Sequence, residues 1–237
     1  MKKLTYLFAG FLLALTAASC GGGSDTDKST DKDSTETTTD LPSSGDVKKR
    51  YGIESGIVEY EYSGSQTGKE TLYFEEWGWK EVKYTDTEMK IMGMTQKNST
   101  IAMINNDRIY NYDVINKKGT KMKNPLLDAL TEEQLKDLAQ VGMAMMKQMG
   151  AVKTGNENVA GKDCEVWEIK SLGGKVWIWN YIVLKMSTKM AGIEINMLAT
   201  KVQEGGDIPS DKMKFADDID PAGFTDLSDM LDKAKKD

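Results

Sequence analysis

The chain has 237 residues, with 31 Lys and Arg against 37 Asp and Glu, two cysteines and no histidine. A net charge of −6 without any basic stripe excludes a nucleic-acid surface, and the lack of histidine excludes a Cys–His nucleophile. The length leaves room for one domain with a real core once the two ends are set aside.

Met1, Lys2 and Lys3 precede an apolar run over residues 4–18, followed by Ser19, Cys20 and Gly21. This is the order of a signal peptide, here 1–19: a basic start, an apolar stretch and small residues at the cut. The run falls short of the roughly 20 residues of a spanning helix and lacks a basic stop-transfer flank. Residues 15–20, Leu-Thr-Ala-Ala-Ser-Cys, resemble the lipobox of bacterial lipoproteins, whose Cys becomes the acylated mature N-terminus. The resemblance implies lipid attachment at Cys20, palmitate among the chains, and a lipid anchor in the outer membrane, with its periplasmic and cell-surface faces both open. Ala17 stands where that family usually has Leu; looser boxes of this kind occur in Bacteroidetes-type bacteria. Several acyl chains at about 0.8 kcal/mol per buried methylene anchor a protein durably. Loss of Lys2 and Lys3 with the signal leaves 29 basic residues against 37 acidic ones, a charge of −8.

Residues 20–48 form an acidic tether with hardly an apolar side chain, a composition that does not bury enough surface to order itself. A flexible stretch of this length reaches about 25–30 Å on average. Asp25, Asp27, Ser29, Asp31, Asp33 and Glu36 fall at the ligand positions of a calcium loop, but Thr30 replaces the turn glycine and no helix flanks it, so we assign no metal. Asp33-Ser34-Thr35 resembles a bacterial O-glycosylation acceptor, and an unmodified spacer explains it equally well.

From residue 55 the pattern turns to period two. Val58, Tyr60 and Tyr62 alternate with Glu59 and Glu61, and Leu72 and Phe74 follow beyond a turn at 64–68. Gly78 is placed to turn the chain into a third strand through Val82 and Tyr84. Strands over 99–104 and 108–114 flank Asn105-Asn106-Asp107, with a turn at 116–119. Asn124-Pro125 opens a helical turn that leads into one helix over 131–149, capped by Thr131 and Gln134 and ended by Gly150. Leu135, Leu138, Met145, Met146 and Met149 recur on one side of it, widened by Ala139 and Met143. Strands over 164–170, 175–179, 181–187 and 193–202 follow, then a tail with Pro209 and Pro221 and an amphipathic helix from Phe224. Short connections imply antiparallel pairing.

Several phrases, Lys69-Glu70-Thr71-Leu72-Tyr73-Phe74, residues 160–167, 208–215 and Pro221-Ala222-Gly223-Phe224, are similar to pieces of exported proteins of the LolA-like superfamily of lipoprotein carriers. This resemblance implies an α+β, mostly antiparallel fold: a curved half-barrel over 49–224, the mid-chain amphipathic helix on its concave face, and a short C-terminal helical tail over 225–237. The spacing of Phe215 and Pro221 is wider than in that family.

No phosphate loop, nucleophile elbow or metal-ligand cluster accompanies the strands, so we expect a binder and no enzyme, with no cofactor. Methionine suits adaptable apolar surfaces, and the expected ligand space lies between helix and sheet, bordered by Leu138, Met145, Met146, Met149, Trp177 and Trp179. The expected partners are the membrane, through the N-terminal lipid, and a lipid or other apolar ligand. The competing expectation is an interaction or structural lipoprotein whose methionines fill a core and which has no ligand. Oligomeric state is not encoded in any of these features.

Overall fold

A computed structural model of the chain describes residues 48–91 and 93–228. The signal, Cys20, the tether and residues 229–237 of the expected C-terminal helix lie outside the described residues. Among the described residues, twelve strands form one sheet. They are β1 (Gly56–Gly64), β2 (Gln66–Glu75), β3 (Lys80–Ile91), β4 (Met94–Asn105), β5 (Arg108–Asp113), β6 (Lys118–Lys123), β7 (Ala151–Val159), β8 (Lys162–Ile169), β9 (Gly174–Trp179), β10 (Ile182–Met190), β11 (Ile193–Glu204) and β12 (Thr225–Asp226). The order is β12-β6-β5-β4-β3-β2-β1-β11-β10-β9-β8-β7, and every neighbour is antiparallel except β12, which lies parallel to β6. Two meanders, β1 to β6 and β7 to β11, are therefore joined through the β1–β11 pair.

The sheet is open, since β7 and β12 end it without meeting, and it is curved. Bulges interrupt the β1–β11, β9–β10 and β7–β8 ladders, and each adds local bend and twist. Lys162 on β8 pairs with Glu204 on β11, three strands away. At about 4.8 Å per strand that distance is roughly 14 Å on a flat sheet, the limit of two side chains stretched flat toward each other, and curvature shortens it. The form is consistent with a half-barrel.

Alternation explains the central strands. Val58 and Phe74 are fully buried on the same side as Tyr60 and Leu72, while Glu59 and Glu61 face water. Trp77 and Gly78 adopt positive φ in the turn between β2 and β3, and a Cβ on Gly78 would lie 2.4 Å from the Tyr51 ring. Several strands differ from expectation. The polar stretches 85–91 and 94–98 extend β3 and β4 well past Tyr84 and ahead of Ser99, and β6 and β7 stand where no strand was expected. The tail enters a 3-10 turn at Pro221–Gly223, after which Thr225 and Asp226 bridge β6 where a helix was expected to begin.

The helix expected over 131–149 is two helices, α1 (Glu132–Lys136) and α2 (Leu138–Gln148). The start is as expected: Thr131 Oγ1 accepts from the Gln134 amide at 3.2 Å and Gln134 Oε1 from the Thr131 amide at 3.0 Å. Asp137 then leaves the helical region and becomes a second N-cap, its carboxylate accepting from the Gln140 amide at 3.0 Å. Lys49 fills the break: its amide donates to Lys136 O and its carbonyl accepts from the Ala139 amide, both at 3.1 Å. Hydrogen bonding from a residue nearly ninety positions away replaces the bonds that the helix loses at this point.

The segment 48–53 continues from there across the end of the sheet. The amides of Arg50 and Tyr51 donate to Trp77 O, and that of Gly52 to Asn180 O. Arg50 Nη1 lies 3.2 Å from Glu81 Oε2, and Tyr51 Oη donates to the same oxygen at 2.6 Å. Glu81 is only 4% exposed. Burial alone would raise its pKa, but Arg50, Lys83 and the Tyr51 hydrogen bond outweigh it and hold the carboxyl below its ordinary value.

Cys164 is fully buried on β8, within the central core cluster of Val58, Leu72, Phe74 and Leu184. Burial pushes its thiol pKa up, so it is a poor nucleophile. Cys164→Ala is expected to fold at a cost of about 1–2 kcal/mol, and the native thiol to resist alkylation until the protein unfolds. Rapid labelling under native conditions would contradict this placement.

Candidate functional face

Residues paired across a ladder share a face of the sheet. The registers therefore define a continuous row: Thr87, Gly68, Tyr62, Met197, Met186, Val176 and Trp167, running from β3 to β8. The next row on the same face carries Ile195, Thr188, Gly174, Ile169 and Ala151. Met197 and Trp167 are buried, whereas Tyr62, Met186, Val176 and Ile195 are half-buried. Met143 and Met146 of α2 pack against Ala151, Trp167, Ile169 and Ile178, so the helix covers the β7–β9 end of this face.

The residues expected to border a ligand space divide into two groups. Met146 packs on this face; Met145 is half-buried on the same helix, Met149 is half-buried at its C-cap, and Leu138 is buried at its start. Trp177 and Trp179 alternate on β9 with Val176 and Ile178, which pack under α2; Trp177 instead joins the central cluster with Cys164, Leu184 and Met197, and Trp179 packs against that cluster. There Trp177 Nε1 donates to Glu157 Oε2 at 2.7 Å, and Lys185 Nζ donates to Glu157 Oε1 and stands 4.1 Å from the Trp177 ring. Lys48 and Lys162 flank the Trp179 ring. The structure does not group these tryptophans with the methionines of α2, which pack into the Trp167 cluster. A recess of about 260 Å³ lies elsewhere, between the C-terminal tail and the β3–β4 pair, lined by Glu75, Lys80, Val82, Met103, Ile104, Asn105 and Met213.

One polar group interrupts the apolar face. Glu70 pairs with Tyr60 and Thr85 across the ladders, so its side chain shares the face of Tyr62. It is 7% exposed, and its Oε2 accepts from Tyr62 Oη at 3.2 Å and from Thr85 Oγ1 at 2.9 Å. Burial first, and then the charge of Glu70, push the Tyr62 phenol pKa far up, so Tyr62 remains a donor. Sequence reasoning missed Glu70, although parity could have found it: it stands two residues before Leu72 on the inward side of β2. Among the described residues, no group of three or more His, Cys, Asp or Glu is placed to hold a metal ion.

No family model matches the chain, and no curated protein matches it. Among solved structures it is similar to an uncharacterized conserved protein from Thermus thermophilus, at 6% identity and a TM-score of 0.45, over 74% of this chain and 90% of that one. It is also similar to MucB, at 11% identity and a TM-score of 0.39, over 72% of this chain and 60% of that one. A third similarity is to LprF from Mycobacterium bovis, at 10% identity and a TM-score of 0.29, over 65% of this chain and 87% of that one. These likenesses assign no site, ligand or partner.

Proposed function

We propose that the chain is a lipoprotein acylated on Cys20 and anchored in an outer membrane, whose LolA-like half-barrel binds an apolar ligand on the face partly covered by α2. The reading of the anchor rests on the order of basic start, apolar run, Cys20 and acidic tether. The reading of the ligand rests on one observation: Tyr62, Met186, Val176 and Ile195 stay half-buried on a face whose other end is packed under methionines. Thioether side chains there adjust to varied apolar shapes. In this reading α2 lies on the concave side and works as a cover, and the protein is a binder without catalytic chemistry.

Labelled palmitate should enter the wild-type chain and be absent from Cys20→Ala. Equal labelling of the two would remove the lipoprotein reading.

Met145→Asp with Met146→Asp tests the ligand reading. In the ligand reading these positions border open space, so the double variant should fold and lose an apolar fluorescent probe that the wild type retains; severe destabilisation would mark them as core, where each Asp buries an unpaired charge. Absence of probe binding by the wild type would leave the second reading, a tethered interaction domain with a filled core. The packing of Met143 and Met146 into the Trp167 cluster is the observation in favour of that alternative.

A further inference from the structure

Among the described residues, Glu70 is the one carboxylate on the apolar face that lies this deep without a cation. The other buried acid, Glu81, has Arg50 at 3.2 Å and Lys83 at 3.8 Å, whereas among the described residues no Lys or Arg pairs with Glu70. Its two hydrogen bonds come from neutral hydroxyls and both end on Oε2. An ionised carboxylate offers about four acceptor sites, so half of its capacity remains. Neither of the two described bonds engages Oε1. A purely structural role would be served by an uncharged amide, which accepts the same two bonds without the cost of burying charge.

We propose that Glu70 is the headgroup subsite of the apolar face, receiving the N–H groups of a cationic amphiphile whose chain lies along the half-buried Tyr62, Ile195 and Met186. Tyr62 and Thr85 hold Oε2 in place, and Oε1 accepts from the incoming ammonium. A charge-assisted bond of this kind is about twice as strong as a neutral one and orients the ligand with its chain toward α2. This rests on the reading of the face as an apolar-ligand site and adds the chemical class of the ligand.

The test compares dodecylammonium and dodecanoate binding to the full chain by calorimetry, below their micelle concentrations. Dodecylammonium is expected to bind at least about tenfold more tightly. Glu70→Gln, which keeps the shape and the hydroxyl contacts, should abolish that preference. Thr85→Lys, which places a cation opposite Glu70 on the neighbouring strand, should abolish it as well and serves where Glu70→Gln folds poorly. Glu61→Gln, on the exposed side of β1, should leave it intact. A preference that survives both face variants, or that falls equally in Glu61→Gln, would show only the attraction of an acidic protein for cations and overturn the proposal. Equal affinity for the two amphiphiles overturns the headgroup subsite alone. Binding of neither overturns the apolar-ligand reading with it.

Discussion

Glu81→Leu is expected to lower stability by about 3 kcal/mol, because it leaves the Arg50 guanidinium, three-quarters buried, without its counter-charge. The Tyr51 hydroxyl loses its acceptor in the same step. For a domain of this size that is a fall in Tm of roughly 6–12 °C by calorimetry. Pairing it with Arg50→Met should recover part of the loss, since two apolar side chains carry no orphaned charge. A Glu81→Leu protein as stable as the wild type would mean that the ion pair is incidental. The same group sets an acid response. The Glu81 pKa is lowered in the fold, so its contribution is present above the ordinary value of 4.5 and is lost as pH falls through the lowered one. Glu81→Leu should lack that part of the acid transition.

The largest single loss is expected for Phe74→Ala, at about 3–5 kcal/mol. Phe74 is fully buried, its ring meets Tyr51 edge-on at 4.9 Å, and Gly56 lacks a Cβ where one would fall 2.8 Å from that ring. Truncation leaves a cavity that neither β1 nor the 48–53 segment can fill without moving backbone. Urea unfolding should show the midpoint falling with little change of slope. A loss below about 1 kcal/mol would place Phe74 outside the core and contradict the packing of β1 on β2.

These two residues also show where sequence and structure part. Phe74 announces itself, because Leu72 and Phe74 alternate with polar neighbours and local period suffices. Glu81 does not, since its partners Arg50 and Tyr51 arrive from a segment that carries no strand or helix signal. The capping box at Thr131 and Gln134 is visible in four residues. The break at Asp137 is not, because Lys49 supplies the bonds that stabilise it from the far side of the domain. β7 escapes for another reason: as the edge strand it is exposed at every position between Ala151 and Val159, so nothing enforces alternation.

The same distinction applies to the candidate face. The methionine stripe of α2 and the aromatic character of β9 are both legible. Their separation is not, because it depends on the pairing of Trp177 with Val166 and of Val176 with Trp167, and register is a non-local property. Glu70 reads as one more solvated charge in Lys69-Glu70-Thr71 until the β2–β3 register sets it beside Thr85.

Solvent extraction of the protein purified from the cells that make it, followed by mass spectrometry of the extract, tests the central claim most directly. In the proposed reading, extraction removes bound ligand and leaves the acyl chains attached at Cys20. About one equivalent of an apolar molecule per chain is the expected result, reduced in the Met145→Asp, Met146→Asp double variant. An extract no richer in such molecules than that of an unrelated lipoprotein, from a wild-type chain that takes up no apolar probe, would contradict it.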